Sequence, residues 1–225
     1  MTPRPTRHPP PTPRRPEIPA QLAPGDAGAL TAEATVEEVE IGAVDLSGLQ
    51  APGLALRTVR LRGTRLQEAE LDGLELSDVE LSGCDLANAQ VRSRAGWRRV
   101  DARTCRLTGI TLTDAVLRDV TIESSRVDLA SFAGARMERV TFSDCLLAQT
   151  DFLEAQLDAV RFIDCDLTET DLRRAQLRRC ELRSCRLDGL QGVEQLRGAA
   201  LPWTDIVGAA GLWAQALGIE VLQDG

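Results

Sequence analysis

Residues 140–174 read VTFSD CLLAQ TDFLE AQLDA VRFID CDLTE TDLRR, and in that stretch an apolar residue returns at every fifth position, from Phe142 and Leu147 to Leu167 and Leu172. A period of five fits neither the 3.6 of a helix nor the 2.0 of a strand, so ordinary amphipathic elements cannot produce it. Followed outward, the phase runs unbroken from Leu107 to Leu187. An earlier run extends from Val36 to Val91, then slips by one residue within residues 92–96 and resumes at Trp97. Only Ala51 and Ala102 are small at this position.

The residue two before each of these is also apolar or small, and it repeats every twenty. One column reads Val79, Val100, Val120, Val140, Val160 and ends in Cys180. A second is alanine at Ala95, Ala115, Ala135, Ala155 and Ala175, and a third holds Cys84, Cys105, Ser125, Cys145, Cys165 and Cys185. All three, the second with Ala34, Leu54 and Leu74 before the slip, stay apolar or small across it only if one extra residue is inserted there, so columns and apolar phase agree independently. Four pentapeptides therefore make one turn of a solenoid with a square cross-section. Two of every five side chains point inward, and each sits on its equivalent in the turn below at strand spacing, about 4.8 Å. The 31 pentapeptides from Val36 to Leu187 predict nearly eight turns, a rod roughly 37 Å long at that spacing. Its hydrogen bonds would run between turns, leaving open sheet edges only at the two ends.

The segments CDLAN (84–88), TDFLE (150–154), CDLTE (165–169) and TDLRR (170–174) carry the A(D/N)LXX pattern, and in this the chain resembles the pentapeptide-repeat proteins. The resemblance implies an all-β fold, a right-handed quadrilateral parallel β-helix of about 7–8 coils with a short C-terminal helical cap. It covers about residues 34–201.

Composition narrows the chemistry. The chain of 225 residues has a single histidine, His8, no lysine and no tyrosine, so a folded core lacks the usual general bases, Schiff-base amines and phenols. No catalytic residue, cofactor or metal site is expected. Nine of eleven prolines lie in residues 1–24 with four arginines, so residues 1–30 are expected to form a disordered, solvated polyproline-like arm. No apolar stretch follows its arginines and no 18-residue apolar run exists, so neither a secretory signal nor a membrane span is predicted and a cytoplasmic protein is expected. The net charge of −8 divides into +4 for residues 1–16 and −12 beyond them.

All six cysteines fall on small inward positions. Stacking within disulfide reach is possible, but parallel side chains resist the perpendicular dihedral that a disulfide needs, so reduced core thiols are expected. Stacked carboxylates, Asp151 with Asp171 and Asp144 with Asp164, suit acid/base chemistry only in a cleft, which a convex rod does not supply. The side centred on Leu117 and Leu157 carries eight arginines against seven acids, whereas the sides centred on Phe142, Leu147 and Phe152 have nets of −2, −3 and −3. The candidate interaction surface is therefore acidic: Asp144, Asp151, Asp164, Asp166, Glu169 and Asp171.

Residues 202–225 form the last unit. Pro202 is expected to open a helix with Ile206, Ala210, Trp213 and Leu217 on one face, Gly218 ends it, and residues 219–222 follow as a strand. Ile206, Trp213, Leu217 and Ile219 are candidates for an end cap or for a homodimer contact, and both alternatives stand. A functional branch of the resembled family binds type II topoisomerases, DNA gyrase among them, in place of DNA. The resemblance implies a protein partner of that kind, with no direct nucleic-acid or membrane contact. The alternative is a scaffold or assembly protein with an unrelated partner, using the arginine strip or the basic arm.

Overall fold

A computed structural model describes residues 9–92 and 95–221. The chain winds as a four-sided solenoid of about eight coils. Side one is centred on Leu117, side two on Ile122, side three on Val127 and side four on Phe132, and equivalent residues recur every twenty. Sides one and two carry the strands. After β1 (Ala23–Pro24), β2 (Thr35–Glu37) and β3 (Val39–Ile41), five eight-residue strands run through both sides: β4 (Ala55–Arg62), β5 (Glu75–Ser82), β6 (Gly96–Arg103), β7 (Val116–Glu123) and β8 (Arg136–Ser143). Later coils split this into β9 (Gln156–Asp158) with β10 (Arg161–Ile163) and β11 (Gln176–Arg178) with β12 (Glu181–Arg183). Sides three and four pair through single parallel bridges such as Arg126 with Leu146 and Ser131 with Asp151.

The ladders settle the register. Val79, Val100, Val120 and Val140 are aligned partners, with an offset of 21 between β5 and β6 and 20 between β6 and β7. The one-residue slip is thus real and lies between residues 90 and 96. Both inward columns are buried. Ala95, Ala115, Ala135 and Ala155 are inaccessible, which is what a core only two side chains wide requires. Phe132 and Phe152 stack at 5.2 Å on side four, Phe142 and Phe162 do so on side two, and the two stacks meet edge to face at about 6 Å. Opposed rings fill the square interior in the offset geometry that aromatic quadrupoles favour.

The polar residues at the small inward positions have a structural use. The Sγ of Cys84, Cys145, Cys165, Cys180 and Cys185 donates to the carbonyl 23 residues earlier, for example Cys145 to Ile122 at 3.4 Å and Cys180 to Leu157 at 3.3 Å. The hydroxyls of Thr150 and Thr170 do the same to Val127 and Leu147, at 3.0 and 2.9 Å. Across the slip Cys105 reaches 24 residues back, to Leu81.

Corners are made by backbone geometry. Every fifth residue from Gly48 to Asn88 and from Arg99 to Gly189 has a positive φ between about 49° and 74°, and most of these are not glycine. Asp and Asn are the side-chain types that tolerate this left-handed region best, which accounts for their frequency at corners. Gly192 marks where the path leaves the square: its φ is 74°, and a Cβ there would stand 2.5 Å from the amide nitrogen of Arg173.

The N-terminal segment departs from the expected solvated arm. From Pro9 onward it lies along the rod, the amides of Arg14 and Glu17 bond to Asp119 and Asp78, and β1 pairs in parallel with β3. Its prolines set an extended path, and buried carboxylates give its free amides acceptors, so ordering does not require an apolar core. The expected arm residues 1–8 lie outside the described residues.

The C-terminal end also differs. Two helices, α1 (Trp203–Gly208) and α2 (Ala210–Ala216), break at Ala209, whose φ and ψ of −99° and 21° leave the helical region. The break shifts the apolar phase, so Ala209, Leu212 and Trp213 pack on the end of the core while Leu217 is 76% exposed. Trp213 Nε1 donates to the Ile206 carbonyl at 2.9 Å and ties the helices together. Residues 219–221 form no strand. The Ile219 amide is instead spent on the Ala214 carbonyl and that of Gly218 on Gln215, the double closure of a helix end by a left-handed glycine. Leu222 lies outside the described residues. No helix among the described residues is long and apolar enough to cross a membrane.

Candidate interaction surface

The aspartate of the repeat pattern is first a structural residue. Asp85, Asp151, Asp166 and Asp171 each accept the amide two residues on, at 2.8 to 3.0 Å, and so close the turn into their own side. Three of the six candidate acids therefore have local work. Asp166 also pairs with Arg186 at 3.2 Å, and Asp171 with Arg173 at 2.6 Å. Burial opposes ionisation of Asp166, but the Thr168 hydroxyl and amide outweigh it and hold the carboxyl below its ordinary range. At Asp171 the Arg173 guanidinium does the same.

Asp144 and Asp164 are different. They occupy left-handed corner positions between sides two and three, one coil apart, both are exposed, and neither has an arginine within ion-pairing distance among the described residues. They border a shallow groove with Asp166, Ser184 and Arg186 above Cys145, Cys165 and Cys185. Glu169 stands on the next corner and accepts the Gln149 amide at 2.6 Å. The structure thus gathers Asp144, Asp164, Asp166 and Glu169 along side three and its corners, with Asp151 and Asp171 round on side four.

The arginine strip of side one is mostly compensated. Arg57 meets Glu37 at 3.1 Å, Arg118 meets Glu138 at 2.7 Å and Arg179 meets Asp158 at 2.7 Å, each one coil away. Such exposed pairs are worth little each, about 0–1 kcal/mol, but they cancel the local field.

The cysteine ladder is chemically quiet where it is deepest. Burial pushes the Cys180 thiol up to about 11. Cys165 is raised chiefly by its hydrogen-bonding neighbour Cys145, with burial adding to it, and Cys105 is raised beside Cys84 for the same reasons.

Sequence reasoning missed a second polar constellation at the corner between sides one and two. There the column reads Asp78, Arg99, Asp119, Arg139, alternating in sign from coil to coil. Asp78 and Asp119 are 8% and 4% exposed. Arg139 holds Asp119 through Nε at 2.6 Å and Nη2 at 2.8 Å, and Arg99 holds Asp78 in the same bidentate way. The remaining acceptor capacity goes to the arm: Arg14 N lies 3.1 Å from Asp119 Oδ1 and Glu17 N lies 2.9 Å from Asp78 Oδ1. Alternation within one column was the signal available in the sequence.

A family model described as pentapeptide repeats in eight copies matches residues 56–93, and one described as a pentapeptide repeat region matches residues 128–191. Both fall on the coils described above. The chain is a pentapeptide-repeat protein. Among solved pentapeptide-repeat structures it is similar to HetL, involved in heterocyst differentiation regulation in the cyanobacterium Nostoc sp. strain PCC 7120. Identity there is 22%, over 79% of this chain and 93% of HetL, with a TM-score of 0.43. It is also similar to QnrB1, a plasmid-mediated fluoroquinolone resistance protein, at 19% identity over 85% of this chain and 91% of QnrB1, TM-score 0.39. Rfr23 from the cyanobacterium Cyanothece 51142 is 16% identical over 69% and 88%, TM-score 0.30. No curated protein matches this pentapeptide-repeat chain by sequence.

Proposed function

We propose that this protein is a non-enzymatic protein-interaction module that binds through the acidic surface of side three, and that its partner is a type II topoisomerase such as DNA gyrase, which it protects from poisons. The observation that carries the reading is the pair of unneutralised corner carboxylates, Asp144 and Asp164, held one coil apart on a rigid rod beside Asp166 and Glu169. Carboxylates at a fixed repeat on a straight scaffold can meet a basic groove built for phosphates. The match is local: a duplex as long as the rod would carry roughly 22 negative charges at one per about 1.7 Å, against a rod net of −6.

A supercoiling assay tests the reading. Micromolar protein should change gyrase activity or its sensitivity to a fluoroquinolone, and Asp144→Asn with Asp164→Asn should weaken that effect about tenfold. Supercoiling and poison sensitivity both indifferent to the protein would overturn the topoisomerase reading and leave a scaffold with another protein partner.

A further inference from the structure

The N-terminal arm meets the rod with a regularity that composition does not explain. Over residues 9–16 the half-buried positions are Pro10, Pro13 and Pro16, every third residue, while those between are exposed. Three residues per turn is the period of a polyproline II helix, which rises about 3.1 Å per residue and so about 9.3 Å per turn. Two coils of the solenoid advance about 9.6 Å at strand spacing. The two periods are commensurate, and the polar contacts fall where that requires: amides three residues apart, Arg14 and Glu17, bond to acids two coils apart, Asp119 and Asp78.

The amide contacts are confined to these two places. Two coils beyond Asp119 the corner residue is Ala159, which has no acceptor, and three residues before Arg14 stands Pro11, which has no donor. Pro9 and Pro10 lie beside Leu177, Arg178, Arg179 and Cys180, further along the same corner. At the other end Ala23 and Pro24 reach the first coil through β3. The arginine of each alternate coil, Arg99 and Arg139, clamps the acid that receives the amide. One carboxylate thus binds one guanidinium in its own corner column and one backbone N–H of the arm.

We propose that the corner between sides one and two is a docking groove for a polyproline II segment presenting a free amide at every third residue, and that residues 9–20 of this chain occupy it in cis. The Asp78/Arg99 and Asp119/Arg139 pairs read backbone spacing rather than side-chain identity, and the prolines pre-set the spacing at low entropic cost. While docked, the arm hides both acids from any other ligand.

An insertion separates phase from composition. In the full chain, one proline inserted between Arg15 and Pro16 brings Pro16, without a donor, opposite Asp78 if Arg14 keeps Asp119, and puts Arg14 in the half-buried place of Pro13 if Glu17 keeps Asp78, whereas Pro-Thr-Pro inserted at the same point satisfies both positions. Trypsin cuts the Arg14–Arg15 bond but not Arg15–Pro16, so cleavage at the first bond reports release. The one-residue insertion should speed that cleavage at least tenfold with the melting temperature of the rod unchanged, and the three-residue insertion should restore the wild-type rate. A labelled peptide of residues 9–20, PPPTPRRPEIPA, should bind the one-residue variant at least tenfold more tightly than the wild type, whose groove is filled. Equal cleavage of all three chains would show that the arm does not dock, and absence of peptide binding to the one-residue variant would show that the corner is no docking groove.

Discussion

Cysteine and threonine take small inward positions because each combines a side chain short enough for the core with a donor that meets a carbonyl of the previous coil, whereas the Ser125 hydroxyl donates to the Glu123 carbonyl of its own coil. Corner residues obey a different rule, set by the left-handed backbone, and Asp78 and Asp119 satisfy it while turning their carboxylates to the arm. Their ionisation follows from those partners. At Asp119 the Arg139 guanidinium leads and the Arg14 amide assists, holding the carboxyl below its ordinary range. Burial works against Asp78, but Arg99 and the Glu17 amide prevail in the same direction. A folded value below the free one of about 3.9 means that the docked state gains stability above that pH and loses it as pH falls through the folded value. In an NMR titration of the full chain, the Arg14 and Glu17 amide shifts should therefore move towards their free positions with midpoints below about 3.9. Asp119→Asn should abolish the titration at Arg14 and spare it at Glu17. A midpoint for Arg14 at or above about 3.9 would contradict the assignment of its partner.

At the scale of the element, each coil is stable only against its neighbours, so errors in one side propagate along a column. Ala135 lies in the inaccessible alanine stack between Ala115 and Ala155. Ala135→Arg would place an unpaired charge there at a cost of at least about 3 kcal/mol, enough to consume much of the stability of a domain this size. Thermal unfolding by circular dichroism should show a large fall in melting temperature, and an unchanged value would refute the inward register. The coils were legible in the sequence because a five-residue period with twenty-residue columns has one geometric solution, and even the slip could be placed from Val79 and Val100. The ends were harder. Between Pro202 and Gly218 only Gly208 and Gly211 weaken the helix, and packing Leu212 and Trp213 on the last coil turns that weak point into a break at Ala209. Residues 219–221 have strand-like composition, but the glycine before them commits the Ile219 amide to the helix.

For the whole molecule, the two ends are unequal. Residues 25–34 close the first coil with Leu30 buried, whereas beyond the last coil Trp203, Leu217, Ile219 and Val221 are 78%, 76%, 56% and 62% exposed. We propose that a second copy covers this apolar end in a twofold contact, as closed dimers do. Light scattering at tens of micromolar should give twice the 24.4 kDa of the chain, and Trp203→Ser with Leu217→Ser should return it to one. A wild-type mass of one chain would remove the dimer. The acidic candidates were found from the repeat, but their neutralisation was not, because whether Asp171 meets Arg173 depends on rotamers rather than on spacing. The docking of the arm was hidden for another reason: it depends on two periods agreeing across a hundred residues of chain.

That agreement gives the rod a parity. The core is indifferent to the number of coils, since each repeats the last. The corner is not, because acid and arginine alternate from Asp78 to Arg139. Duplicating the Arg99 coil would leave every column filled yet put an arginine two coils above Asp78 and two coils below Asp119, so the arm could meet only one carboxylate at a time, whereas duplicating the Asp78 and Arg99 coils together would restore the match. Such a chain can lengthen freely by twenties as a scaffold, and only by forties as a partner for its own N-terminus.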